Sequence, residues 1–156
     1  MTDKRPNWID YFFKFAELAS ERSSCLSRKV GAVIVKDKQI MATGYNGSPI
    51  KTPHCSERGC LRKEKNVPSG ERHELCWGVH AEQNAILQAA RFGSGIDGAD
   101  LFCTVSPCSI CMKMIINAGI NAIFFRGKYP DDLSMEIATK AGYHVDKGED
   151  FFVIWK

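Results

Sequence analysis

Apolar side chains at Ile9, Phe12, Phe13, Ala16 and the Leu18-Ala19 pair recur with a helical period, predicting a first helix from about Trp8 to Arg22. The pattern then becomes continuous. Val30-Gly31-Ala32-Val33-Ile34-Val35 and Gln39-Ile40-Met41-Ala42-Thr43-Gly44-Tyr45 flank Asp37-Lys38 and predict a β-hairpin. From Asn46 to about Trp77 no period survives. Gly47, Pro49, Pro53, Gly59, Pro68 and Gly70 punctuate a stretch longer than ordinary loops, which marks a functional insert. Helical spacing returns from about Val79 to Phe92, with Ala81, Ala85, Ile86, Ala89 and Ala90 facing inward and Gly93 as the stop.

Ala99 to Val105 reads as a short apolar strand, and Pro107 to about Ala118 as a helix stopped by Gly119. Ile120 to Phe125 is a further strand, Leu133 to Ala141 a helix ended by Gly142, and Tyr143 to Val145 a short last strand. Phe151 to Trp155 is too apolar for a tail in water, so it is expected to pack on the domain or across a subunit interface. The order α-β-β-α-β-α-β-α-β predicts an α/β fold, a three-layer αβα sandwich with a mixed five-stranded sheet. One domain over residues 1–156 is expected, with the insert at about 46–77.

Composition narrows the function classes. At 156 residues and 44% hydrophobic, the chain can bury a sizeable core. The net charge of +3 is spread among acids, as in Glu57-Arg58 and Arg62-Lys63-Glu64-Lys65, which describes a solvated surface more than a nucleic-acid stripe. A small anionic substrate remains compatible. No apolar stretch approaches the roughly 20 residues that span a bilayer, and Asp3, Lys4 and Arg5 do not resemble a signal segment. The expected location is the cytoplasm, where seven cysteines read as metal ligands and free thiols.

The chemistry concentrates in His80-Ala81-Glu82 and Pro107-Cys108-Ser109-Ile110-Cys111. A catalytic zinc takes three protein ligands and keeps one open position, and His80, Cys108 and Cys111 supply three. Glu82 would shuttle protons beside it. A Cys-x-x-Cys can also be a redox pair or half of a zinc ribbon. Pro107 argues for ligands in the first turn of a helix, whose N-terminus favours thiolate, and His80 and Glu82 open a second helix. Two helix N-termini aimed at one point would set the ligands there.

Over essentially its full length the chain resembles the deoxycytidylate (dCMP) deaminases of the cytidine deaminase-like superfamily. The resemblance is carried by Gly44-Tyr45-Asn46-Gly47-Ser48-Pro49, His80-Ala81-Glu82-Gln83-Asn84-Ala85-Ile86 and Ser106-Pro107-Cys108-Ser109-Ile110-Cys111. The last is superfamily-wide; the first two, with the cysteine-bearing insert between them, are narrower. It implies a zinc-dependent hydrolase that converts dCMP to dUMP and ammonia, feeding thymidylate synthesis. His80, Cys108 and Cys111 would bind zinc and Glu82 would move protons. Asn46 would contact sugar or base, and the Ala81 backbone N–H would hold the pyrimidine carbonyl. Asn46-Gly47 is equally a turn former on its own.

The phosphate grip is open among Arg28, Lys29, Arg126 and Tyr129, with Arg28 the first choice because a guanidinium binds phosphate bidentately. Some members of the resembled family carry a second, structural zinc. Four of Cys25, Cys55, Cys60, His73 and Cys76 would hold it here, with His54 nearby, tying down a long loop. Cys103, within an apolar strand, reads as core. Many of the resembled enzymes are hexamers activated by dCTP and inhibited by dTTP, which makes a homo-oligomer the expectation. Arg91 occupies the matching place for an effector contact, or simply favours the helix C-terminus. The rival readings are a dual dCMP/dCTP deaminase, a free cytosine or tRNA-adenosine deaminase, and a structural zinc protein without turnover. A structural site would have no need of Glu82.

Overall fold

The computed structural model describes residues 4–156. Its architecture follows from one strand buried on both faces. In β1 (Gly31–Lys36), Val33 and Val35 pack with Phe12, Phe13 and Ala16 of α1 (Trp8–Ser20), while Ala32 and Ile34 belong to the core on the opposite face. Strand β2 (Gln39–Tyr45) returns antiparallel to β1 through Asp37 and Lys38, both at positive φ (49° and 61°). That geometry matches the right-handed twist of a tight hairpin.

Helix α1 starts where Asn7 accepts the Asp10 N–H at 2.9 Å, and it ends at Ser20, with Glu21 and Arg22 continuing as a turn. Beyond the hairpin, β3 (Asp100–Val105) lies antiparallel to β1 and parallel to β4 (Ala122–Gly127). Helices α4 (Ala81–Phe92), α5 (Ser109–Asn117) and α6 (Asp132–Lys140) cover the face opposite α1. The three-layer αβα sandwich is the predicted one.

The strand count is not. The sheet has six strands, in the order β2-β1-β3-β4-β6-β5. Phe152–Trp155 forms β6 and enters between β4 and β5 (His144–Lys147), antiparallel to both. The expectation that this segment packs on the domain holds, but as a strand. Gly148 donates to the Phe151 carbonyl at 2.9 Å and turns the chain back, so β5 and β6 form a hairpin. Fully buried Ile154 pairs with Ile123 across β4.

The insert is mostly irregular, with short helices α2 (Cys55–Arg58) and α3 (Leu61–Glu64) and a single 3-10 turn at His73–Leu75. Its two ends are pinched together. Gly47 and Val79 exchange backbone hydrogen bonds of 3.1 and 2.8 Å, so α4 begins at Ala81 and not at Val79. The start of α4 also lies flush on β2: a Cβ at Gly44 would overlap the Ala81 carbonyl oxygen and the Ala85 amide nitrogen. Among the described residues, no helix is long and apolar enough to cross a membrane.

Candidate metal centre and its cavity

His80 and Cys108 occupy equivalent places. Each is the extended N-cap residue of a helix, α4 and α5 respectively, and each offers its carbonyl to the first helical hydrogen bond (Asn84 N–H to His80 at 2.9 Å, Met112 N–H to Cys108 at 2.8 Å). Gln83 fixes the His80 backbone by accepting its N–H at 2.8 Å. Pro107 precedes the cap instead of opening the helix. Its carbonyl accepts the Ser134 hydroxyl at 2.7 Å, which fastens the α5 entry to α6. Cys111, one turn along, completes the group.

His80 Nδ1 lies 3.4 Å from both the Cys108 and the Cys111 sulfur. Tetrahedral zinc at ordinary bond lengths requires an N···S separation of about 3.5 Å, which both N···S pairs match. The thiols share a hydrogen bond. Donation from Cys111 holds Cys108 down at about 4 despite its burial, with His80 helping, while Cys111 is correspondingly raised. Burial pulls the His80 imidazole down, but Cys108, Cys76 and the Glu82 charge outweigh it and push it up to about 11. Such a site is built for a cation.

Glu82, at 4% exposure, stands beside the group with Oε2 3.7 Å from the Cys111 sulfur. Burial pushes its carboxyl up to about 7, against the opposing charge of His80. A carboxyl that gains and loses a proton near neutrality is suited to proton transfer. Ala81, the first residue of α4, is fully buried and lines the adjoining cavity, and helix geometry leaves its N–H without a helical carbonyl.

The cavity of about 220 Å³ opens between His80, Glu82 and the insert. Asn46 lines it, but its side chain is engaged in holding the Ser23–Val30 loop. It accepts from Val30 N–H (2.8 Å) and the Ser23 hydroxyl (2.6 Å) and donates to the Arg28 carbonyl (2.7 Å). Asn84 likewise works as a strut, donating to the Tyr45 carbonyl at 2.7 Å. Arg28 lies at the cavity, its guanidinium 5.4 Å from the centre of the Tyr129 ring.

Arg126 is elsewhere: it pairs with Asp10, Glu17 and Asp150 at 2.8, 2.9 and 3.1 Å, committed to α1. Lys29 is exposed and outside the lining. The cation that sequence reasoning missed is Arg62, which lines the cavity with a buried, unpartnered Nε while donating to the Pro68 and Glu71 carbonyls. Its run of alternating charges looked like solvated surface. Arg91 ends α4 on the exterior, against the Phe92 ring and away from the cavity.

The insert cysteines gather at the same cavity with Cys25 of the loop after α1. Cys25, Cys55, Cys60 and Cys76 all line it, and Cys25, Cys60 and Cys76 all lie close enough to Cys55 for their charges to raise its thiol, secondary to burial. Ser27 donates its N–H to the Cys25 sulfur at 3.4 Å, and its hydroxyl sits 4.0 Å from Cys60. His73 stands apart from them, with Nε2 3.5 Å from Asp131 Oδ2. Among the described residues, two groups of potential ligands close to within 4.8 Å: His80, Cys108 and Cys111, and a second of His73, Cys108 and Asp131. Cys103 is buried core, its thiol raised by burial. His54 caps α2.

A histidine and two cysteines on two converging helix N-termini, with a buried carboxylate beside them, form a candidate zinc centre on an αβα frame. The family model for the cytidine and deoxycytidylate deaminase zinc-binding region matches residues 6–126, and the chain belongs to that family. It is 39% identical to the deoxycytidylate deaminases of Schizosaccharomyces pombe (82% of this chain, 39% of that protein) and Saccharomyces cerevisiae (90% and 45%). The chain therefore spans about two fifths of the length of these yeast relatives. A dCMP deaminase from cyanophage S-TIM5, solved with dCMP and dUMP, superposes with a TM-score of 0.71 at 33% identity, over 90% of this chain and 96% of that one.

The raised Glu82 carboxyl has a thermodynamic consequence for the metal-free protein. Below pH 4.5 folded and unfolded chains both hold the proton; between 4.5 and 7 only the folded chain keeps it, so the native state loses stability as pH rises to about 7. Glu82→Gln should thus raise the melting temperature of metal-free protein at pH 8, by the equivalent of about 3 kcal/mol, and leave it unchanged at pH 4. Equal melting temperatures at pH 8 would show that the carboxylate is not destabilised.

Proposed function

We propose that this chain deaminates dCMP hydrolytically to dUMP and ammonia, breaking a C–N bond in a cyclic amidine and so supplying dUMP for thymidylate synthesis. The observation that carries the reading is Glu82, buried beside a three-ligand centre and opening on a cavity that also holds Arg28 and Arg62. The cyanophage relative, seen with dCMP and dUMP, supports it. A zinc ion held by His80, Cys108 and Cys111 would supply Lewis acidity that makes water a nucleophile near neutral pH.

The chain's own groups do the rest. The Ala81 N–H holds the pyrimidine carbonyl, and Asn46 fixes the loop that carries Arg28. Glu82 takes a proton from the attacking water and delivers it to ring N3 as oxygen bonds to C4. It then passes the second proton to the amine, the C4–N bond breaks, and ammonia leaves. Burial serves this cycle by keeping the carboxyl near the pH at which it must work. The guanidiniums of Arg28 and Arg62 take the 5′-phosphate, with Tyr129 stacking under Arg28. A dual dCMP/dCTP activity is the second reading, because a cavity with two cations has charge enough for a longer phosphate chain.

A second, structural zinc belongs to the same proposal, on Cys25, Cys55, Cys60 and Cys76. The supporting signs are the shared electrostatics at Cys55 and N–H donation to sulfur by Ser27 and, at Cys76, by Gly78. Donors of that kind are what thiolate ligands collect around themselves. His73 is left out of the set. We place the protein in the cytoplasm as a homo-oligomer, with Arg91 beside exposed Leu87 and Phe92 as the candidate contact for dCTP or dTTP effectors.

Ammonia release with dCMP, dCTP, cytidine and cytosine in parallel should show dCMP as the best substrate. Arg28→Ala and Arg62→Ala should each raise the KM for dCMP at least tenfold, about the 1.5–3 kcal/mol of a charged hydrogen bond, without affecting the slow reaction of cytidine. Equal losses on both substrates would contradict phosphate recognition. Metal analysis should give two zincs per chain, and Cys60→Ser should remove one while His80 and its partners keep the other. One zinc in the unmodified protein would eliminate the cysteine site.

A further inference from the structure

We propose that Asp131 and the insert's His73 are positioning residues for the metal-binding Cys108. Asp131 is the N-cap of α6, accepting the Ser134 N–H on Oδ1 at 3.2 Å, and a cap needs only that oxygen. The other oxygen leaves the helix. Oδ2 accepts the N–H of Ser109 at 2.7 Å. Ser109 directly follows Cys108 and is the first residue of α5, so its N–H has no helical carbonyl to meet. The carboxylate therefore holds the start of the helix that presents both thiolates.

The same Oδ2 faces His73 Nε2 at 3.5 Å, and both side chains are only 7% exposed. Neither ring nitrogen of His73 has a full hydrogen bond, a costly state for a buried imidazole unless it serves a purpose. The ring stands at 88° to His80, with centroids 5.8 Å apart, and a nitrogen of His73 lies within 4.8 Å of the Cys108 sulfur. The insert reaches this point by close docking. Gly70 N–H donates to the Tyr129 hydroxyl at 3.1 Å, and at φ 84° a Cβ on Gly70 would overlap the Pro130 carbonyl oxygen.

His73, Cys108 and Asp131 do not make a good second metal site. Cys108 already belongs to the His80 group, and Asp131 Oδ2 is engaged by the Ser109 N–H. The arrangement instead ties three segments to one carboxylate: the thiolate helix, α6 and the insert. Partners behind the ligands commonly set both the position and the donor strength of the ligands in front of them. The insert thereby bears on the position of Cys108.

The inference rests on the zinc reading of His80, Cys108 and Cys111 but not on the substrate, so its first readout needs none. Asp131→Asn, His73→Ala and His73→Gln would be purified with zinc, and zinc loss to a chelator, melting temperature, kcat and KM for dCMP measured together. Asp131→Asn should weaken zinc retention about 10–100-fold and lower kcat over a similar range, with KM unchanged. His73→Ala should do the same in smaller degree, and His73→Gln, which restores an N–H donor, should recover most of the loss. Lower melting temperatures with normal zinc retention and kcat would overturn the proposal, as would a raised KM at unchanged kcat. Should Asp131→Asn not fold, the His73 pair decides by the same criteria. Zinc retention that falls as predicted in a protein inactive on dCMP would uphold this inference and reject the substrate assignment.

Discussion

Two helix N-termini meet at one point, and the rest of the molecule keeps them there. His80 caps α4 and Cys108 caps α5, so both ligands sit where unpaired N–H groups and the helix dipoles face outward. That field favours thiolate, but it falls off within a turn. The helices must therefore be held to fractions of an ångström. β1 does part of this by being buried on both faces, with α1 behind it and α4 and α5 in front. Gly44 does another part, since no side chain intervenes between β2 and the first turn of α4.

The insert completes the constraint from the other side. It is pinched shut by Gly47 and Val79, and it lays Cys76 against His80 and His73 against Asp131. A segment with few apolar residues of its own cannot hold such contacts by burial. Sulfur ligation would supply the missing rigidity, and Cys55, Cys60, Cys76 and Arg62 of the insert meet Cys25 and Arg28 of the loop after α1 at the same cavity. Burial of Glu82 keeps its carboxyl near 7.

Much of this was legible in the sequence because local chemistry announced it. Helical periods, the Asp37-Lys38 hairpin and the His80, Glu82, Cys108 and Cys111 spacing each depend on residues a few positions apart. The misses are nonlocal. β6 is four residues long and takes its identity from pairing with β4, so its pattern alone read as a generic apolar patch. Arg62 enters the cavity only because the insert folds over it, and Arg126 leaves because three acids on the α1 side claim it. Asn46 was singled out by the resemblance as a sugar or base contact; in the fold its amide secures the loop bearing Arg28. His73 was grouped with the cysteines as one of the ligand-type residues left after the first centre; the 3-10 turn presents it to Asp131.

The central claim is that a carboxylate held beside the His80, Cys108 and Cys111 centre moves the protons of deamination. Glu82→Gln keeps the volume and hydrogen-bonding capacity of the side chain and leaves all three ligands in place. Measured together, zinc content and ammonia release from dCMP separate binding from chemistry. The account predicts a folded protein with its zinc retained and turnover lowered about 10²–10⁴-fold. Turnover near that of the unmodified protein, with zinc retained, would contradict it.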